Sequence, residues 1–390
     1  KSMENETFLK RFYLDSSVVD KAGFNPYYPV LQSSLGNTLL IENEEFINLA
    51  TNNYLGLADD ARVKEASIKA ICDYGLSYCA TPIAGGACKI YNDAAGLLSS
   101  FTGVVDCIIY PSCYQANNAL FKIIAGKNDI ILVDHYAHSS LVEGIKAAPC
   151  KFRPFLHNNI QHLEELLQKS GDLEQVFVVT ESVFSTEGSI APLKEMNELC
   201  NKYNAVFVID DSHGIGVIGD KGKGAVSCIS NFNGIYTASL GKAIANSGGM
   251  IGGNRTLIDF LRYNSSHLIY STAIVPSILG GIIKIIEIIE EDFSNLKDKM
   301  FCHKKIIQEA LLKAGFTISK SETPIISIES GNSEQTMQVA YDFYKNKILT
   351  TPFIFPSVPE KQGRIRLIAG ANLSDDIIKK AAIIIQSMKS

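Results

Sequence analysis

Short apolar runs alternate with helical patterns over the middle of the chain. The runs are CIIYPS, DIILVDHYAH, QVFVVTES, AVFVIDDSH and GIYTASLGK, and they lie between residues 107 and 242. Their apolar parts are hydrophobic throughout rather than at every second position, which is typical of parallel strands covered on both faces. Strands interleaved with helices of about 10–15 residues predict βαβ units. The pattern therefore predicts a large α/β domain with a mostly parallel sheet.

The pattern changes on either side of this region. Residues 4–48 carry a short helical pattern, a turn-rich GFNPYYP and a hairpin-like LGNTLLIENEEFI. A long apolar helix over about 276–291 is followed by a strand TPIISIE, a helix over 335–345, a strand RIRLI and a helix over 375–388. We predict an N-terminal segment (1–50), a large domain (51–280) and a smaller C-terminal α+β domain (281–390).

Composition narrows the possible functions. The 390 residues are 46% hydrophobic and 20% charged, as in ordinary globular proteins. A net charge of −5 without a basic block argues against binding nucleic acid or an anionic membrane surface. The most apolar run carries Lys284 and Glu287 and is too short for a transmembrane segment, which needs about 20 residues. Nine scattered cysteines without a CxxC pair predict reduced thiols and a cytoplasmic protein.

Titratable and hydroxyl groups follow the predicted strands at the ends where ligands bind in an open parallel sheet. They are Asp134, His135 and His138; Glu181 and Ser185; Asp210, Asp211, Ser212 and His213; and Ser239 and Lys242. One such residue would be explained as a helix cap, worth about 1 kcal/mol. A lysine, an aspartate and two histidines together at one sheet edge are not explained by helix capping. The histidines lack metal-ligand spacing, so we predict no metal site.

Lys242 lies in the glycine-rich stretch ASLGKAIANSGG. It is either a solvated loop lysine or an amine held in a site for its chemistry, because lysine is almost never fully buried without a partner. Pyridoxal 5′-phosphate (PLP) needs a lysine for a Schiff base, an acidic partner for its pyridinium nitrogen and a cradle for its phosphate. The strand-end groups match these needs.

The segments VIDDSHGIGVIGDKGKG (208–224) and TASLGKAIANSGG (237–249) resemble the signature of the α-oxoamine synthases, which are fold type I PLP enzymes. Further similar segments occur in the same order along the chain: TNNYLGLADDARV, PSCYQANNALF, VDHYAHSSLVEGI, VVTESVFSTEGSIAPL, HLIYSTAIVPS and RIRLIAG. The resemblance covers nearly the whole chain. It implies a fold type I transferase and a homodimer with its active site at the subunit interface.

The resemblance also implies roles for single residues around the ring of PLP. Lys242 would form the Schiff base and move the Cα proton of the substrate. Asp210 would pair with the pyridinium nitrogen, His213 would lie near the ring O3′, and His138 would stack on the ring face. Ser185 would hydrogen-bond O3′ or the substrate.

Other residues would hold the phosphate and the substrates. The backbone N–H groups of Cys113 and Tyr114, at a helix N-terminus, would bind the phosphate. The hydroxyl of Ser239 and, from a second subunit, Thr272 would add to this site. Arg366 is our choice for the amino-acid carboxylate, with Arg364 as the alternative. Asn52 and Tyr54 are further candidates for substrate binding.

The implied reaction joins an α-amino acid to an acyl thioester, from acyl-CoA or an acyl carrier protein, and releases CoA, CO2 and an α-aminoketone. Cys113, Tyr91 and Asn372 depart from the family pattern, and the last two leave the choice of substrate open. The stretch TTPFIFPSVP is apolar, so we expect Pro352–Phe355 to form an acyl entrance without a cation. This favours medium or long acyl chains, as in serine palmitoyltransferases or autoinducer synthases.

Three alternatives remain open at this point. The first is an 8-amino-7-oxononanoate synthase of biotin synthesis, which would join alanine to a pimeloyl thioester. The second is a fold type I aminotransferase or lyase that uses no acyl thioester. The third is a non-catalytic subunit of a heterodimeric synthase, although such a subunit would be expected to lack Lys242.

Overall fold

A computed structural model describes residues 11–12, 17–171 and 173–388 of the chain. Part of the short helical pattern predicted over residues 4–48 therefore lies outside the described residues. Within them, helix α1 (Ser17–Ala22) precedes an antiparallel hairpin of strands β1 (Thr38–Ile41) and β2 (Glu44–Asn48). The hairpin confirms the prediction. Its two turn residues, Glu42 and Asn43, have φ of 52° and 64°, as a tight two-residue turn between twisted strands requires.

The middle of the chain alternates helices with the strands of one sheet. The elements in chain order are α2 (Ala61–Tyr74), α3 (Lys89–Thr102), β3 (Asp106–Tyr110), α4 (Cys113–Ile124), β4 (Ile130–Asp134), α5 (Ser139–Lys146), β5 (Lys151–Phe155), α6 (Ile160–Gln168), β6 (Val176–Glu181), α7 (Leu193–Lys202), β7 (Val206–Asp210), β8 (Ile235–Ser239), β9 (Gly249–Gly253), α8 (Arg255–Asn264) and α9 (Ser266–Ile269).

The seven-stranded sheet has the order β3-β9-β8-β7-β6-β4-β5. Strands β8, β7, β6, β4 and β5 run parallel, and β9 is antiparallel to both of its neighbours. Strands β4 and β6 are buried along their whole length, which explains their continuous apolar runs. The α/β prediction is confirmed, but the sequence pattern did not predict β5 or β9.

The remaining elements form a smaller unit with two three-stranded sheets. They are α10 (Pro276–Lys313), β10 (Ile325–Gly331), α11 (Ser333–Lys345), β11 (Ile348–Leu349), β12 (Thr351–Phe353), β13 (Gly363–Ile368) and α12 (Asp375–Ser387). One sheet has the order β10-β13-β12, and the other joins the N-terminal hairpin to β11. The predicted strands and helices of this unit are all present.

Helix α10 connects the two units. Its first half contributes Ile282 and Ile289 to the core under the large sheet, whereas Ile307 and Leu311 lie in the core of the smaller unit. Asp292, between these halves, has non-helical backbone angles (φ −133°, ψ 15°). The three-part division into 1–50, 51–280 and 281–390 stays a prediction. The pairing of β2 with β11 shows that the N-terminal hairpin belongs to the same sheet as C-terminal residues.

Candidate active site

A cavity of about 310 Å³ lies at the carboxyl ends of the parallel strands. The last residues of strands β6, β7 and β8 line the cavity, and the N-termini of α4 and α5 close one side of it. The lining residues are Ser112, Cys113, Tyr114, His138, Ser140, Glu181, Asp210, Ser212, Ser239, Gly241, Lys242, Asn246, Ser247 and Gly248. Six of the residues predicted from the sequence are among them: Cys113, Tyr114, His138, Asp210, Ser239 and Lys242.

Lys242 is held in this cavity by a tight loop after β8. The loop closes on itself, because the N–H of Leu240 donates to the carbonyl of Gly248 at 3.0 Å. Gly248 has φ +111°, a conformation that favours glycine. Burial lowers the pKa of Lys242, and the neighbouring charge of Asp210 opposes that shift. The site therefore favours a neutral amine more than water does.

Asp210 ends strand β7 and is buried. Its Oδ1 accepts the N–H of Ser212 at 2.9 Å, and its Oδ2 accepts the Nδ2 of Asn117 at 2.7 Å. Glu181 lies opposite Asp210 in the register of β6 and β7. Burial, and then the charge of Asp210, raises the pKa of Glu181 well above its usual value. The cavity thus favours a protonated Glu181 beside Asp210.

Of the two predicted histidines, His138 lines the cavity and His213 is not among its lining residues. His138 caps helix α5, where its Nδ1 accepts the N–H of Ser140 at 3.2 Å. His213 is buried, and its Nδ1 lies 2.7 Å from the hydroxyl of Tyr54. Burial lowers the pKa of both imidazoles, strongly for His213, so both favour the neutral form. The structure places His213 beside Tyr54, although Tyr54 was predicted only to bind substrate.

The N-terminus of α4 forms a cradle for an anion. Ser112 caps this helix by accepting the N–H of Gln115 at 3.2 Å. The N–H groups of Cys113 and Tyr114 belong to the first turn, which has no acceptors within the helix. A Cβ at Gly249 would lie 2.3 Å from the backbone N of Cys113, so only glycine lets β9 approach so closely. Amide groups and a helix dipole directed into a cavity suit a phosphate.

The two candidate arginines have different surroundings. Arg366 is buried, and its guanidinium donates to the carbonyl of Ser185 at 3.1 Å and lies 5.0 Å from the ring centre of Phe353. Its Nε is buried without a partner. Arg364 instead pairs with Glu329 at 3.1 Å. Arg366 therefore has donors left for a substrate, whereas Arg364 is already compensated. At Ser185 it is the carbonyl that contacts Arg366.

Some predicted residues do not line the cavity of their own chain. Thr272 is exposed and follows the exposed Tyr270. The Oδ1 of Asn52 is buried without a partner. Two departures from the family pattern have structural roles. The hydroxyl of Tyr91 donates to the carbonyl of Ile109 at 3.0 Å, and Asn372 donates to the carbonyl of Gly36 at 3.0 Å.

The cavity also contains residues to which the sequence analysis gave no role. Glu181 and Ser212 follow strands, so the strand-end rule finds them but does not say what they do. Ser140 lines the cavity, and Asn117 does not line it but contacts Asp210; both lie on helices, where that rule does not apply. One signal was present for Asn117: it is four residues after Cys113, and residues at this spacing share a helix face.

Comparisons with known proteins show the family to which the chain belongs. The family model for class I and II aminotransferases matches residues 44–385. An 8-amino-7-oxononanoate synthase of Treponema denticola is 31% identical over 90% of this chain and 89% of its own length. A 2-amino-3-ketobutyrate coenzyme A ligase of Escherichia coli K12 is 30% identical over 87% and 86%. The structure of a serine palmitoyltransferase of S. paucimobilis matches with a TM-score of 0.90, 20% identity and coverage of 99% and 98%.

The fold and the family model place the chain in class I and II aminotransferases, with the fold type I architecture. Within that class it belongs to the α-oxoamine synthase family, which confirms the resemblance seen in the sequence. It is an acyltransferase whose cofactor is PLP. No helix among residues 17–171 and 173–388 is both long and apolar enough to cross a membrane.

Asp211 directly follows Asp210 at the end of strand β7 and binds residues from other parts of the large unit. It is fully buried, accepts the Ser182 hydroxyl at Oδ1, and accepts the Ala225 N–H at 2.9 Å and the Tyr236 hydroxyl at 2.8 Å at Oδ2. Burial raises the pKa of Asp211 to about 7. Its hydrogen bonds lower that pKa but do not offset burial.

This raised pKa predicts a pH-dependent stability. Between about pH 4 and 7 the folded protein holds a proton on Asp211 that the unfolded chain has lost, so stability falls as the pH rises through this range. Asp211→Asn should remove that part of the slope, roughly 1–4 kcal/mol across the range. Thermal melting of both proteins from pH 4 to 8 measures it. Glu181 contributes a slope of the same sign, which should remain. The same fall in melting temperature with pH in both proteins would refute the assignment.

Proposed function

We propose that the enzyme catalyses the decarboxylating condensation of an α-amino acid with an acyl thioester, releasing CoA, CO2 and an α-aminoketone. One observation carries the proposal: a lysine with a lowered pKa, a buried aspartate, a histidine and an anion-binding helix N-terminus meet in one cavity. The family relationship supports the same reaction class. A CoA-release assay separates it from an aminotransferase or lyase, which would need no acyl donor.

The residues present fit PLP. When bound, PLP supplies an electron sink that makes a proton on the amino-acid Cα removable. Asp210 would hold the proton of the ring nitrogen, and His138 would lie against the ring face. The amides of Cys113 and Tyr114, with the hydroxyl of Ser239, would bind the phosphate.

Lys242 is the group that would both hold the cofactor and move the proton at Cα. A base must be neutral when it accepts a proton, and a lysine in water at neutral pH is almost entirely protonated. Burial lowers the pKa of Lys242 and so raises its neutral fraction. His213 stays neutral beside Tyr54, where it can donate or accept one hydrogen bond without adding charge.

Arg366 would orient the amino-acid carboxylate. A guanidinium binds a carboxylate through two parallel hydrogen bonds, and Arg366 has a buried Nε without a partner. Phe353 packs on its guanidinium and limits its rotation. Asn52, with its unpaired buried Oδ1, is a further candidate to contact the substrate.

The same proposal includes a homodimer in the cytoplasm. Tyr114 lines the cavity and is half exposed, and Tyr270, on the segment that leads to Thr272, is exposed. Tyr270 is 84% exposed, so its ring is available for contact with another subunit. A second subunit covering this surface would bury Tyr270 and could bring its own Thr272 to the phosphate site.

Substitution of Lys242 tests the central assignment. Lys242→Ala should abolish turnover and the visible absorption of bound PLP, because no other lysine lines the cavity among the described residues. Lys223→Ala, a change on a neighbouring surface loop, serves as the control and should keep both. The readouts are the absorption spectrum after dialysis and CoA release. Full turnover by Lys242→Ala would refute the role of this amine.

Tyr270 tests the dimer. The wild type should sediment at twice the chain mass of 42.6 kDa, and Tyr270→Asp should shift it toward the monomer because the aspartate would be buried without a partner. Ile383→Asp, on the outer face of α12 and 68% exposed, should leave the dimer intact. Analytical ultracentrifugation at several concentrations measures this. A wild type that is monomeric at all of them would contradict the proposal.

A second cavity bears on the acyl donor. It measures about 640 Å³ and lies between loops that follow β4, β5 and β6 and the segment 355–364. Phe355, Pro356, Val358 and Pro359 form an apolar wall. The expectation of an entrance without a cation is wrong for this cavity, because Arg364 also lines it. Of Pro352–Phe355, only Phe355 reaches the cavity.

We propose that this cavity takes a medium or long acyl chain. The charge of Arg364 is engaged by Glu329 at 3.1 Å, so a distal carboxylate on the acyl chain would have to compete with Glu329. The apolar wall offers an acyl chain burial without that competition. The second candidate, an 8-amino-7-oxononanoate synthase, is favoured by the names of relatives about 30% identical and by the presence of Arg364.

An acyl-CoA series decides between them. Each buried methylene should add about 0.8 kcal/mol, so four add about 3 kcal/mol, or roughly a hundredfold in kcat/KM. We expect chains of about 10–16 carbons to exceed acetyl- and pimeloyl-CoA by well over tenfold. Glu329→Gln should narrow the gap to pimeloyl-CoA by releasing Arg364. Pimeloyl-CoA as the best wild-type donor would show that the second candidate is right.

A further inference from the structure

Two side chains, Asn117 and Ser140, link Asp210 to His138 through hydrogen bonds. Asn117 Nδ2 lies 2.7 Å from Asp210 Oδ2 and 3.0 Å from Ser140 Oγ. Ser140 Oγ lies 2.8 Å from His138 Nδ1. Asn117 is 0% exposed and Ser140 is 2% exposed, so water does not compete for these contacts.

The direction of each hydrogen bond follows from one backbone group. The N–H of Ser140 donates to His138 Nδ1, so Nδ1 carries no proton. The Ser140 hydroxyl must then donate to Nδ1, which leaves the Ser140 oxygen as an acceptor for Asn117. The other N–H of Asn117 donates to Asp210. The middle position thus needs one nitrogen with two protons, which a side-chain amide supplies.

The orientation of Asn117 has a cost that supports this reading. Its Oδ1 is buried and has no hydrogen-bond partner. Turning the amide over would place Oδ1 against the carboxylate oxygen of Asp210 at 2.7 Å, which is repulsive. Close packing keeps the helices together here, since a Cβ at Gly144 of α5 would lie 2.3 Å from the carbonyl oxygen of Asn117.

We propose that Asn117 and Ser140 are positioning residues that couple Asp210 to His138. Asn117 holds the carboxylate of Asp210 from one side of the cavity. Through the Ser140 hydroxyl it also orients a second hydrogen bond onto the unprotonated Nδ1 of His138, whose tautomer the backbone N–H of Ser140 already favours. The purpose of this coupling, to align two groups on the same cofactor, rests on the proposed function. The coupling itself is a property of the protein without cofactor.

The test measures the NMR signals of the imidazole nitrogens of His138 in cofactor-free protein labelled with ¹⁵N-histidine. The chain has seven histidines, and the signals lost in His138→Asn identify residue 138. The wild type should show Nδ1 unprotonated and Nε2 protonated. Ser140→Ala should shift the Nδ1 signal because it removes the hydroxyl donor. Asn117→Ala should shift the same signal although Asn117 does not touch the ring.

Asn118→Ala is the matched control. Asn118 is the next residue of α4, and its amide donates to the backbone carbonyls of Tyr114 and Ser140 rather than to Asp210 or His138. It should leave the His138 signals unchanged. Asn117→Ala should weaken PLP binding roughly tenfold or more, as expected for loss of a hydrogen bond to a charged group, while Asn118→Ala should not.

Each outcome decides the proposal. Unchanged His138 signals in Asn117→Ala, or a wild-type Nδ1 that carries a proton, would overturn it. If Asn117→Ala does not fold, Ser140→Ala, which removes one oxygen, takes its place, and an unshifted Nδ1 there overturns the proposal equally. In the double variant the Nδ1 shift should be smaller than the sum of the single shifts, because both changes break one chain of contacts. A wild type that binds no PLP would refute the proposed function and leave the nitrogen result standing.

Discussion

The candidate active site depends on keeping ionisable groups of both signs in one cavity of about 310 Å³. Taking a charge out of water is costly unless a partner or a hydrogen bond compensates it. Lys242, Asp210 and Glu181 share one cavity. The charge of Asp210 acts on the pKa of Lys242 and on the pKa of Glu181, and these two groups act on each other. The parallel register of β6 and β7 imposes this closeness, since it places Glu181 directly opposite Asp210. Burial raises the pKa of Glu181, and the nearby charge of Asp210 adds to that shift. Burial lowers the pKa of Lys242 against the opposing effect of the same charge.

The smaller unit completes the site rather than only stabilising it. Arg366 lies on β13, yet its guanidinium reaches the carbonyl of Ser185 in the large unit. Tyr54 lies in the segment between strand β2 and helix α2. Its backbone carbonyl accepts the N–H of Ala371, in the smaller unit, at 3.0 Å. The same residue holds His213 through its hydroxyl. The groups proposed to bind substrate and cofactor are therefore held in register by contacts between the two units.

Much of this arrangement could be predicted from the sequence because it depends on strand ends. Apolar runs located five strands of the sheet, and the polar residues after them included Asp210 and Lys242. Strand β9 could not be predicted in this way, because three of its five residues are glycines, which are rare in strands. Strand β5 is an edge strand, and its first four residues are exposed. Arg366 was the choice from the sequence, but Arg364 could not be excluded, since the difference between them is a tertiary contact of Arg364 with Glu329.

The departures from the family pattern differ in how far they reach into the site. Tyr91 uses its hydroxyl to bond the backbone of β3, and Asn372 ties the C-terminal unit to residues 35–36, so both act in packing. Cys113 is different, because its Sγ lies in the cavity 3.5 Å from the Ser212 hydroxyl. Burial raises the pKa of this thiol strongly, so it stays neutral. A neutral thiol adds no negative charge beside the amides that would bind a phosphate, and for this reason a cysteine is compatible with that position.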